Sequence, residues 1–256
     1  MGTGDETTKP GRPGISGDTG AGATSVWNIA SYPRSGNHLV RTLVEYAARQ
    51  PTLGCPGAPR DIPIHQRDAN ARSGLIQIAT DEPKAVKAHW ANQIKRNEAG
   101  RDADHLLLIT RDPADAIASH LARVFARKAF LTERRVRRAI EAELDAYIGV
   151  LYAFMAKPRD MRLHVRFEAL TDSDNGHYEA QRILDALLPD RLDLSQDAWR
   201  KIRQTAGASQ GSLDRRSYAL KNRIRARVLS YITYAEVDAF IQTGSWSALP
   251  QRRAAH

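Results

Sequence analysis

Four short apolar runs, each stopped by a turn and separated by helical patterns, constrain this chain most. The runs are Val-Trp-Asn-Ile-Ala-Ser-Tyr at 26–32, Ala-Val-Lys-Ala-His at 85–89, His-Leu-Leu-Leu-Ile-Thr at 105–110 and Leu-His-Val-Arg-Phe at 163–167. Runs of this length suit strands buried in a parallel sheet. Between and after them, the spacing predicts helices over 39–48, over 133–155 and over 177–188, and one with Pro113 in its first turn that runs through Ala116, Ile117 and Leu121. Strand alternating with helix predicts an α/β fold, a three-layer αβα arrangement around a central parallel sheet. Ligands of such sheets bind beyond the C-terminal ends of the strands.

The expected organisation is a flexible tail over 1–25, rich in Gly, Thr, Pro and Asp, and a single domain over 26–256. Residues 50–72 form a long Pro/Gly/Asp-rich excursion, and connections of that length inside a domain are often functional. The 256 residues carry a formal net charge of +9, and 30 of the 38 basic residues are Arg. That excess points to an anionic partner, because the guanidinium fork matches phosphate and sulfate. The one cysteine, Cys55, excludes an internal disulfide and a cysteine-rich zinc site. With no apolar run long enough to span a bilayer and no apolar secretory core, no membrane association and a cytoplasmic location are expected.

Residues 31–38, Ser-Tyr-Pro-Arg-Ser-Gly-Asn-His, lie between the first strand and the first helix and make an anion cradle. Gly36 lets the backbone approach a ligand, the helix offers its first amides, and Arg34, Ser35 and Asn37 add charge and donors. His38 borders the loop. The Walker A pattern is absent. After the most apolar strand comes Arg111, and Ser119 follows eight residues later, two helical turns on and on about the same face. One guanidinium and one hydroxyl can thus meet one phosphate. Lys87 and His89 alternate onto the same side of the strand between these motifs, a base and a positive charge within reach of one another.

These segments resemble those of sulfotransferases. Tyr32 to Asn37 match the family's 5′-phosphosulfate loop, Y-P-[KR]-S-G-[TN], and Arg111 with Ser119 matches its 3′-phosphate motif. Lys87-Ala88-His89 is similar to the catalytic strand of many cytosolic members, whose His is the general base, and 165–170 is similar to the R-Y-E-D-L strand end. The similarity runs from Val26 to about Thr243. It implies a P-loop-like nucleotide-binding architecture and transfer of a sulfo group from 3′-phosphoadenosine 5′-phosphosulfate (PAPS), by in-line attack, to a hydroxyl or amine. Adenosine 3′,5′-bisphosphate (PAP) is then the product, and no metal is required. His89 would be the base and Lys87 would face the leaving oxygen. Arg34, Ser35, Gly36, Asn37 and His38 would hold the phosphosulfate, and Arg111 and Ser119 the 3′-phosphate.

The chain departs from the family in three places. Phe167 stands where Tyr is usual, and Leu39 where many members have a Trp that stacks on adenine, so stacking falls to Phe167 or a residue near Gln210. The late R-K-G-x-x-G-x-W segment is missing; 220–227 lies in its place, and its Arg and Lys side chains, Lys221 and Arg223 among them, are the candidate substitute 3′-phosphate contacts, with the choice among them open. Some relatives use a carboxylate base, for which Asp61, Asp68 and Glu82 are the local reserves. The polar 51–80 excursion favours a carbohydrate or a polar, natural-product-like small-molecule acceptor over a flat phenol. Among the other histidines, His120 follows Ser119 and faces either the core or the acceptor, His164 packs in its strand, and His65 attracts little weight. The Arg134, Arg135, Arg137, Arg138 run is a solvated helix face. A homodimer is left open. The competing functions are a kinase, with Asp112 as magnesium ligand, and a basic RNA-binding protein; no stacking motif supports the latter, and nucleic acid is not an expected partner.

Overall fold

The computed structural model describes residues 26–54, 75–80, 83–95, 105–126, 131–188, 192–208 and 215–246. The expected tail, Cys55, Asp61, His65, Asp68, Glu82, Gln210 and most of the 50–72 excursion lie outside the described residues. Five strands form one parallel sheet in the order β2-β3-β1-β4-β5. They are β1 (Trp27–Ser31), β2 (Thr52–Leu53), β3 (Ala85–Ala88), β4 (His105–Thr110) and β5 (Arg162–Arg166). The helices are α1 (Asn37–Ala48), α2 (Ala91–Lys95), α3 (Pro113–Phe125), α4 (Glu133–Met155), α5 (Phe167–Thr171), α6 (Gly176–Leu187), α7 (Gln196–Ala208), α8 (Arg215–Leu229) and α9 (Tyr234–Thr243). No described helix is long and apolar enough to cross a membrane.

Strand alternation divides the interior into two cores. Trp27, Ile29, Leu107, Ile109 and Val165 point to one face, where α1, α6 and α7 cover them with Leu39, Val40, Leu43, Ile183, Leu184 and Ile202. Ala30, Ala88, Leu106 and Leu108 point to the other, against Ile117, Leu121, Ile140, Leu144 and Ile224 of α3, α4 and α8. This is the expected three-layer arrangement. The small Ala30 and Ala88 stand side by side in the register.

Two boundaries differ from expectation. The start of the predicted excursion is strand β2, tied to α1 through a buried polar knot. Arg41 donates from Nε to Thr52 Oγ1 at 2.9 Å and from Nη2 to Thr52 O at 2.7 Å, while Glu45 Oε1 accepts from Thr52 N at 2.8 Å. Arg41 is 1% and Glu45 0% exposed, so each charge is tolerable only because hydrogen bonds satisfy it. Second, Phe167 leaves β5 and opens the short helix α5.

The expectation for His164 holds in position, and the structure adds its chemistry. Its ring lies in β5 beside Leu108, with Nε2 2.7 Å from Thr110 Oγ1. Burial, and then the charges of Arg182 and Arg166, hold its pKa down at about 4, against 6.5 for the free side chain. The folded protein therefore binds this proton less readily than the unfolded chain does. The stability that His164 contributes is complete above pH 6.5 and is lost as the pH falls towards 4. At 1.36 kcal/mol per pKa unit, the loss is about 2–3 kcal/mol. In urea melts at pH 7.5 and 4.5, His164→Gln should lose less stability between the two pH values than the wild type by about that amount. Equal losses in the two proteins would rule His164 out as the group responsible.

Candidate active site

All strands are parallel, so the loops after β1, β3, β4 and β5 gather at one edge of the sheet. Strand order reverses about β1, the place where ligands of such sheets bind. After β1 the chain turns within Tyr32 to Gly36, with Ser35 N donating to Tyr32 O at 3.2 Å. Arg34 (φ 70°) and Gly36 (φ 92°) are both left-handed. This geometry is natural for Gly36 but costs an L-residue such as Arg34 roughly 1–2 kcal/mol. Helix α1 then starts with no side-chain cap and no acidic residue in its first turn. The contrast with α3 is direct, because Asp112 accepts from Ala114 N and Asp115 N there. The first N–H groups of α1 therefore keep their affinity for an anion. Ser35 is fully buried, and its Oγ has no hydrogen-bond partner. Asn37 differs from expectation in that its Nδ2 donates to Ile29 O at 3.0 Å, tying the loop back to β1. His38 is half-buried in the first turn of α1.

Arg111 emerges at the end of β4, and its carbonyl accepts from Tyr147 Oη at 2.8 Å. Its guanidinium donates to Arg34 O at 2.9 Å and lies 4.9 Å from the Phe167 ring centroid. Phe167 in turn closes on Gly36: a Cβ at residue 36 would stand 2.4 Å from its Cδ2. The structure thus brings Arg34, Gly36, Arg111 and Phe167 together although they come from three separate segments. Burial, then the charges of Arg123 and Arg111, lower the pKa of Arg34. Gathering like charges is unfavourable unless an anion joins them. Ser119 lies on α3, 8% exposed, and Arg123 follows it one turn later.

Lys87 is half-buried in β3 beside Ile29. His89 lies just past the strand end, with Nδ1 2.8 Å from Ser31 O. A carbonyl can only accept, so the proton of the neutral ring is on Nδ1 and the lone pair is on Nε2. Gln93 Oε1 accepts from His89 N at 2.8 Å and from Trp90 N at 3.2 Å, which fixes the turn that carries the ring.

Of the two substitute contacts on α8, Lys221 is half-buried, and Arg223 lies 3.9 Å from Glu133 of α4. Neither has a described contact with Arg111 or Ser119. It is Arg225 that reaches the start of α3, with Nε 2.7 Å from Asp115 Oδ1. The residues 134, 135, 137 and 138 are exposed, as a solvated helix face should be.

Sequence reasoning missed Arg123, Tyr147 and Glu143. Arg123 was open to detection, since it repeats the Ser119 position one turn on. Glu143 carried no signal: it stands inside a long helix on the same stripe as the buried Ile140, Leu144 and Tyr147. It accepts from Tyr32 Oη at 2.7 Å, and its Oε1 lies 3.6 Å from His120 Nε2. His120, left between core and acceptor by the sequence, therefore sits at this edge. Burial lowers its pKa, Glu143 opposes that shift and Arg34 adds to it.

No family model and no curated protein matches the chain. Solved structures do resemble it. The sulfotransferase domain from the curacin biosynthetic pathway is 13% identical, with 82% of this chain and 99% of that one covered and a TM-score of 0.42. A sulfotransferase from Alicyclobacillus acidocaldarius is 14% identical, covering 90% and 100%, with a TM-score of 0.44. Retinol dehydratase in complex with androsterone and inactive cofactor PAP is 14% identical, covering 80% and 81%, with a TM-score of 0.46. Each likeness is one of fold, and none assigns a residue its role here.

Proposed function

We propose that this protein is a sulfotransferase that uses PAPS as donor and a polar hydroxyl or amine compound, a carbohydrate or other small molecule, as acceptor. One observation carries the proposal. Beyond the ends of β1, β3 and β4 lie an uncapped helix start, an orphaned serine hydroxyl, Arg34 joined by Arg111, and a histidine whose Nδ1 is held by Ser31 O. The orphaned Ser35 Oγ and the uncapped start of α1 fit a phosphosulfate lying against the backbone.

When bound, the donor supplies a sulfo group on a phosphate leaving group. Arg34, the N–H groups of α1 and Ser35 hold its 5′ end, with Gly36 supplying the left-handed turn, Asn37 shaping the loop and His38 at its border. Arg111 and Ser119 hold the 3′-phosphate, and Lys221, Arg223 and Arg225 supply the outer positive charge. Phe167 packs beside the base. The acceptor oxygen or nitrogen bonds to sulfur as the sulfur–oxygen bond to phosphate breaks. His89 Nε2 takes the acceptor proton, and Lys87 balances the charge left on phosphate. The Asp112 carboxylate, the magnesium ligand of the kinase alternative, caps α3 through Oδ1.

Binding of the donor end is testable without an acceptor. PAP should raise the melting temperature through preferential binding to the folded state, and AMP, lacking the 3′-phosphate, should do so much less. Greater stabilisation by ATP with magnesium would end the sulfotransferase reading. Arg111→Ala removes a charge-assisted contact worth about 1.5–3 kcal/mol. PAP affinity should drop by roughly one to two orders of magnitude with an unchanged far-UV spectrum. Unchanged affinity would leave Arg111 as a loop-packing residue.

His89 as base makes a separate prediction. Turnover of an acceptor found with labelled donor should fall by about 10²–10⁴-fold in His89→Ala, with PAP affinity nearly unchanged. Lys87→Ala should also slow turnover. Near-normal turnover in His89→Ala would move the base elsewhere.

A further inference from the structure

A carboxylate stands at the edge of the site where the mechanism above gives it no task. Glu143 occupies the inward stripe of α4, otherwise filled by Val136, Ile140, Leu144 and Tyr147. Its side chain keeps 20% of its surface exposed. Among the described residues Tyr32 is its one hydrogen-bond donor, at 2.7 Å on Oε2. Its Oε1 faces His120 Nε2 at 3.6 Å, beyond hydrogen-bond distance. A carboxylate offers about four acceptor positions, so one described donor and a partly exposed side chain leave Glu143 able to accept from others.

Its neighbours place this group beside the reaction centre. Tyr32 belongs to the anion loop, and its ring meets Trp90 at 6.3 Å and His120 at 5.8 Å between centroids. Trp90 directly follows His89 and is half-exposed. Aromatic faces beside an accepting carboxylate suit a ring that carries hydroxyl or ammonium donors. The same carboxylate repels an acidic compound, whose charge would be partly desolvated against it. A structural task for Glu143, holding Tyr32, uses only one oxygen.

We propose that Glu143, flanked by Trp90 and His120, is a specificity-determining residue that selects a sugar-like acceptor bearing hydrogen-bond donors or positive charge and rejects anionic ones. This rests on the reading that the strand ends form a sulfo-transfer site, because only then is the compound bound there an acceptor. It deepens that reading by fixing the charge class of the substrate.

The experiment measures binding rather than transfer, so the two ideas can fail separately. Methyl β-D-glucosaminide, cationic at C2, neutral methyl β-D-glucoside and methyl β-D-glucuronide, anionic at C6, share one ring and differ in charge. Each is titrated, by saturation-transfer NMR, into the full chain with and without PAP. In the PAP-loaded wild type the affinity should fall from cation to neutral to anion, by about tenfold across the series. Glu143→Gln retains an acceptor for Tyr32 and should abolish the order; Glu143→Asp retains the charge and should keep it. A merely structural Glu143 would weaken all three sugars equally. The proposal is overturned if the loaded wild type shows no such order, absence of all binding included, or if the order survives in Glu143→Gln. Failure of PAP itself to bind would instead remove the sulfo-transfer reading; a Glu143-dependent order seen without PAP would still stand as a sugar site.

Discussion

The alternation of side chains along β1 and its two neighbours is the constraint on which everything else depends. Each strand of that trio has apolar residues on both sides, so neither face of the sheet can meet water. Two separate helical layers are then obligatory, one over Ile29 and Leu107, the other over Ala30 and Leu108. Polar chemistry is expelled from the sheet's faces and confined to its ends. Because all strands run the same way, one end collects the loops that follow them, and Arg34, His89, Arg111 and Phe167 all lie there.

At that edge the physical theme is charge brought together against its own repulsion. Burial, then the charges of Arg123 and Arg111, lower the pKa of Arg34, and the loop beneath holds a non-glycine residue at a positive φ. Such strain persists where the surrounding structure enforces it, and it clusters at functional sites. The enforcement is visible in Phe167 on Gly36, in the Arg111 bond to Arg34 O, and in Tyr147 holding the Arg111 carbonyl. Next to this positive cluster, Glu143 supplies the opposite sign, fastened through Tyr32 to the same loop. On the proposed reading, the cationic side would take the donor and the anionic side a cationic or neutral acceptor.

Much of this was legible in the sequence because it is local. The apolar runs, the Pro33 strand stop, the Pro113 helix start and the Arg34-to-Asn37 loop each depend on neighbours within a few residues, so their placement follows from backbone sterics and periodicity. Where the reading fell short, the deciding contact was long-range. Thr52 became a strand because Arg41 and Glu45 hold it, and Phe167 left β5 for a helix whose first residue packs on Gly36. The choice of Arg225 over Arg223 as the residue that reaches α3 depends on which face α8 turns to that helix.

The sequence by itself determined the alternating α/β plan, the anion loop and the identity of His89, Lys87 and Arg111 as candidates, since residue type and spacing suffice for each. Only the tertiary structure decided what those groups do with one another. The tautomer of His89 is set by a carbonyl on a neighbouring strand, 58 residues away in the chain. Glu143 joins the site through a tyrosine 111 residues distant. Periodicity cannot report such pairings, because a hydrogen bond across the fold depends on how helices and strands pack, and nothing in the flanking residues records it.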